Sequence, residues 1–249
     1  MTGLINRLEV IEKEQLEDME FFESEYGDDP QYDEDGGLST SKKGIKRFVA
    51  LCDYKLRHDI PAFRKNLRGA VELRKSLFDR YNQGESIDES FVTMNAFDYL
   101  LDALASGDYK LSEDFAKVMG GREKIEKEND HPFDWAFGYA LKAAILDQEE
   151  ELDTWLALAS KEVKHPDVKF YQGYVDALYA IRKDNDEAFE SAIKQLLKDH
   201  RKECREGGVF DNCADEVVCF GGLGLVNLAR LKGLKVIIDD EYLPSELVV

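Results

Sequence analysis

The chain has 249 residues, 43% of them hydrophobic, enough to bury a substantial core and to exclude wholesale disorder. Acids outnumber bases 52 to 33, for a formal net charge of −19, so the surface field repels nucleic-acid phosphates and anionic lipid and attracts basic proteins. The opening stretch MTGLINRLEVIEKEQLEDMEFF is too densely charged for a signal peptide, and no apolar run nears the roughly 18 residues that span a bilayer. Together with four irregularly spaced cysteines, read as reduced thiols, this predicts a cytoplasmic protein.

Leu4, Leu8, Ile11, Met19 and Phe22 fall near helical spacing and predict an N-terminal helix over residues 1–23. Residues 24–41, with Asp28, Asp29, Asp33, Glu34, Asp35, Gly36 and Gly37, read as a mobile acidic loop. Lys42 to Arg57 places Ile45, Phe48, Val49, Cys52 and Leu56 on one stripe, and Asp59 is an N-cap with Pro61 in the following first turn. That next helix stops near Gly84. A helix over Ser90 to Ala105 breaks at Ser106-Gly107-Asp108, and another runs through Met119.

From Pro132 a helix buries Phe133, Phe137, Ala140, Leu141, Ala144 and Ile145, and its partner carries Leu152, Trp155, Leu156 and Ala159. A further pair follows Pro166, with Val168, Tyr171, Val175 and Leu178, then Ala188, Ile193, Leu196 and Leu197. Gly138-Tyr139 recurs as Gly173-Tyr174, 35 residues on, and Asp102-Ala103-Leu104 as Asp176-Ala177-Leu178, 74 residues on. Two helices per mid-thirties period is the signature of tetratricopeptide-like stacking. The expectation is therefore all-α: a single domain over 1–249, residues 42–249 forming an irregular stack of antiparallel helix pairs. The tail LKVIIDDEYLPSELVV adds one short extended segment.

No constellation for catalysis emerges, and no enzyme, cofactor or metal is expected. The tail around Gly222 and Gly224 imitates a dinucleotide fingerprint, but Asn227 stands where it would need support from a third glycine, and no further strand–helix units surround it. An EF-hand register on Gly36 finds Asp33 and Asp35 but also Gln31 and Lys42 where acids are required. His200, Cys204, Cys213 and Cys219 lack the short pairings of a structural zinc site. What remains is charge. Asp147, Glu149, Glu150 and Glu151 fill one inter-helix turn, and Asp184, Asp186 and Glu187 the next. Stacked in register, these turns form a negative ridge, which with Asp28, Asp29, Asp33, Glu34 and Asp35 is the candidate partner-binding surface. The plainer alternative is that the acids solvate loops while Tyr139, Tyr171, Tyr174 and Tyr179 pack the core.

The stretch AFESAIKQLLKDHRKECREGG, followed by FGGLGLVNLARLKGLKVIIDDEYLPSELV, resembles the C-terminal half of the immunity protein 49 family of bacterial polymorphic-toxin systems. The matching features are Leu196 to His200, Leu228-Ala229-Arg230, Gly233 and Tyr242-Leu243-Pro244, and the resemblance covers roughly residues 130–249. It implies a helical, non-enzymatic antidote that binds one cognate toxin and blocks its active site or substrate access. The acidity favours a basic toxin such as a nuclease. The alternative is a tetratricopeptide-like scaffold or chaperone that holds peptide segments in a concave groove.

Overall fold

A computed structural model describes residues 2–27 and 30–249; Asp28 and Asp29, singled out above, lie outside them. Among the described residues the regular structure is entirely helical, with eleven α-helices, short 3₁₀ turns and no strand. They group into two compact units, residues 1–92 and 93–249.

The first unit holds α1 (Thr2–Glu25), α2 (Gly37–Arg57) and α3 (Ile60–Asn82). The tight turn between α2 and α3 follows from local chemistry. His58 closes α2 in the left-handed region at φ 51°, and the Asp59 side chain accepts from the Ala62 amide at 2.9 Å. Leu51, Phe63, Leu67, Val71, Leu77 and Phe78 are fully buried between the helices. Helix α1 packs on α2 through Leu8 and the buried Glu12, which grips the Arg57 guanidinium while Arg57 also binds Asp53.

Within the stretch expected to be a mobile loop, Pro30–Asp33 form a 3₁₀ turn and α2 already begins at Gly37. Asp33 accepts from the Ser39 amide at 2.9 Å and from its hydroxyl at 2.6 Å, and pairs with Arg80 of α3 at 2.6 Å. Burial opposes ionisation of Asp33, but Ser39 and Arg80 outweigh it and hold the carboxyl below its ordinary range. Gly36 at φ 85° sits where a Cβ would meet Leu77 at 2.7 Å, so the turn is seated on the core.

The second unit runs through α4 (Phe97–Ala105), α5 (Tyr109–Val118), α6 (Glu123–Asn129), α7 (Pro132–Ile145), α8 (Glu149–Glu162), α9 (Gln172–Arg182), α10 (Asp186–Glu203) and α11 (Phe220–Leu231). Helices α7 with α8 and α9 with α10 form the expected pairs, and α8 packs on α9. The helix read over residues 90–105 is instead two 3₁₀ turns followed by α4, and α6 was not anticipated. Ala188 is exposed; Phe189 is the buried apolar residue at the start of α10.

The main departure from a sequential stack is that α4 packs chiefly on α11, not on α5. The glycine-rich tail makes this possible. Cys219 caps α11 by accepting from the Gly222 amide at 3.4 Å, and a Cβ on Gly224 would lie 2.4 Å from the Leu101 carbonyl oxygen. Gly222 and Gly224 are therefore buried helix-contact glycines. Asn227, fully buried, donates to the Leu104 carbonyl at 3.0 Å and accepts from the Val249 amide at 3.0 Å. Replacing it as Asn227→Ala leaves both groups unanswered, and about 2 kcal/mol of stability should be lost in urea unfolding followed by tryptophan fluorescence. The two repeat glycines serve different neighbours: Gly138 abuts Met94 and Gly173 abuts the Leu196 backbone. The expected extended segment, residues 234–240, is irregular apart from one bridge between Asp240 and Leu243.

Candidate functional site

The acidic turns of the second unit share one backbone device. Asp147 at φ 56° and Asp184 at φ 49° occupy the left-handed position that ends α7 and α9, respectively. The next residue's amide reaches back into the helix: Gln148 to Ala143 at 2.9 Å and Asn185 to Ala180 at 3.0 Å. Aspartate tolerates this conformation better than most side chains, so the backbone alone accounts for an acid at each position. Asn185 then caps α10 by accepting from Ala188 at 2.9 Å. Glu149, Glu150 and Glu151 occupy the first turn of α8, and Asp186 and Glu187 that of α10, where the helix dipole favours negative charge.

Stacking brings these turns together. Asp147, Glu149 and Asp184 line one cavity of about 230 Å³, floored by Ala143, Ala144, Leu152 and Ile181, with Arg182 and Lys232 in its wall. The ridge is not uniformly negative. Lys232, from the end of α11, pairs with Asp147; Arg182 clamps Asp153 at 3.0 and 2.9 Å and reaches Glu149 at 3.2 Å. Asp186 accepts from the Lys235 amide at 3.0 Å. Glu150, Glu151, Asp184 and Glu187 are exposed and make no ion pair among the described residues, so they carry the outward charge. In the first unit Glu34 and Asp35 are exposed, whereas Asp33 is occupied by Ser39 and Arg80.

The tyrosines divide. Tyr174 is buried, and Tyr171 stacks on Phe133 at 5.0 Å within the core. Tyr139 stacks on Trp155 at 4.4 Å and donates to the buried Glu126 at 2.9 Å, a carboxylate that also receives Trp135 Nε1 at 3.2 Å. Tyr179 lines a groove of about 590 Å³ along α9 and α10, with Ala180, Ala188, Ser191 and Ala192. Of the residues weighed for zinc, His200 is buried and its Nε2 lies 2.7 Å from the Asp215 carbonyl, which makes Nε2 the protonated nitrogen. Burial lowers its basicity, so it is neutral. Cys219 is spent on the cap of α11, and Cys213 is exposed.

One feature away from the ridge escaped sequence reading. Burial, with the Asp130 carboxylate beside it, pushes Asp134 up to about 6. Its ordinary value is 3.8, so folding takes up a proton between about pH 4 and 6, and this group's contribution to stability falls as pH rises through 6. Asp134→Asn should therefore raise stability at pH 7 by about 2 kcal/mol. The gain should vanish in melting experiments below about pH 4, where both forms are neutral.

Compared with known families, the chain matches a model described as Immunity protein 49 over residues 95–247, which takes in α4 to α11 and the whole acidic turn edge. The match begins well before the span recognised from the tail motifs. No curated protein and no solved structure matches.

Proposed function

The chain belongs to the immunity protein 49 family, and from that premise we propose that it neutralises one cognate toxin by binding it through the acidic turn edge of the second unit. The observation that carries this reading is the convergence of Asp147, Glu149 and Asp184, from successive helix-pair turns, on one cavity inside the family-matched residues. Exposed Glu150, Glu151 and Glu187 extend the negative surface beside it. Such a surface suits a basic toxin, a nuclease for instance, whose substrate-binding face is positive and would be covered by the antidote. Neutralisation takes place in the cytoplasm and involves no chemistry by the antidote. No described helix is long and apolar enough to cross a membrane.

The test is co-expression with the products of the adjacent genes. One of them should arrest growth alone and be tolerated beside this protein. If none is toxic, or none is neutralised, the reading fails. A second reading, a scaffold that holds peptide segments, is favoured by the groove along α9 and α10. Tyr179→Ala separates the two: it weakens a groove ligand and leaves edge binding intact.

A further inference from the structure

Residues 234–239, Leu-Lys-Val-Ile-Ile-Asp, alternate in burial as a half-buried strand does. Leu234 and Val236 are buried, Ile238 is partly buried, and Lys235, Ile237 and Asp239 face outward. Ile237 is 88% exposed, the highest value among the exposed large apolar side chains. The amides and carbonyls of Val236, Ile237, Ile238 and Asp239 take no hydrogen bond among the described residues. The Lys235 amide is anchored to Asp186 and the Asp239 carboxylate accepts from the Ser245 amide at 3.2 Å, so both ends are held. A β-branched run with a free backbone edge and an outward isoleucine is a template for strand pairing.

We propose that this edge pairs antiparallel with the same edge of a second copy of the chain, across a two-fold axis at Ile237. The outward side chains select that occupant. In this register Ile237 meets its own counterpart, and Lys235 of each copy lies opposite Asp239 of the other, giving two opposite-charge pairs around an apolar centre. A parallel in-register pairing would set lysine against lysine and aspartate against aspartate. The contact spans only a few residues per copy, so the dimer is weak, with a Kd on the order of 10–100 µM.

Sedimentation equilibrium of the full chain from about 5 µM to 1 mM tests this. The wild type should pass from monomer to dimer, and Ile237→Pro, which removes an amide and the outward side chain, should stay monomeric. Lys235→Asp and Asp239→Lys should each weaken the dimer roughly tenfold, and the double variant, with the pairs restored in reverse, should return close to wild type. Far-ultraviolet circular dichroism should be the same for all of them. A wild type that stays monomeric at every concentration overturns the proposal, and so does a dimer insensitive to Ile237→Pro. A double variant no tighter than the single ones does the same. Protection of the amides of residues 236–239 by a bound toxin, with no dimer in its absence, would assign the edge to a different occupant.

Discussion

Gly224→Ala should lower the stability of the second unit by about 3 kcal/mol, a shift of roughly 6–12 °C in melting temperature. A Cβ there would lie 2.4 Å from the Leu101 carbonyl oxygen and 2.9 Å from its Cα, and these are backbone atoms that no rotamer change can move. Helices α4 and α11 would have to separate, and the bonds from Asn227 to Leu104 and from the Val249 amide to Asn227 would stretch with them. The gain in helix propensity from alanine, about 1 kcal/mol, is smaller than this cost. Gly44→Ala is the control. Gly44 lies inside α2 with open space where a Cβ would go, so alanine should stabilise by about 0.5–1 kcal/mol. Both tryptophans, Trp135 and Trp155, lie in the second unit, so fluorescence reads the first substitution and circular dichroism the second.

The second large effect concerns binding. The triple variant Glu150→Gln, Asp184→Asn and Glu187→Gln should lose roughly 100-fold in affinity for the cognate toxin, about 1 kcal/mol per charge, mainly through slower association. These substitutions spare the fold. Asparagine tolerates the left-handed position of Asp184, and the N-cap at Asn185 is untouched, so stability should stay within about 1 kcal/mol of wild type. Raising the salt concentration should narrow the gap between wild type and variant, because exposed charges are screened. By contrast, Glu149→Gln also disturbs the Arg182 clamp, and its effect would mix binding with stability.

Much of the helical architecture is legible because short-range chemistry writes it. Asp59 with Pro61, Pro132, and the Ser106-Gly107-Asp108 break mark helix ends through capping and φ restriction that involve neighbours only. Partner choice is less legible. Periodicity shows which stripe is apolar and not what covers it, and the α4–α11 contact joins residues as far apart as Leu104 and Asn227, separated by 123 positions. The segment at 90–105 misleads because its apolar residues persist through two 3₁₀ turns. Asp33 of the acidic stretch is held by Arg80, 47 residues away, a pairing that composition cannot reveal. In the candidate site, the sequence locates the acids and the structure separates them by role: Asp147, Glu149 and Asp186 are partly spent on Lys232, Arg182 and the Lys235 amide, leaving Glu150, Glu151, Asp184 and Glu187 facing outward.

Amide hydrogen exchange on the purified complex with the cognate toxin, compared with the free protein, tests the central claim most directly. Binding through the turn edge predicts new protection concentrated in residues 146–152 and at Asp184 and Glu187, with Tyr179, Ala180, Ser191 and Ala192 of the groove and the whole of α1 unchanged. Protection confined to that groove or to α1, with both acidic turns exchanging as in the free protein, would contradict it.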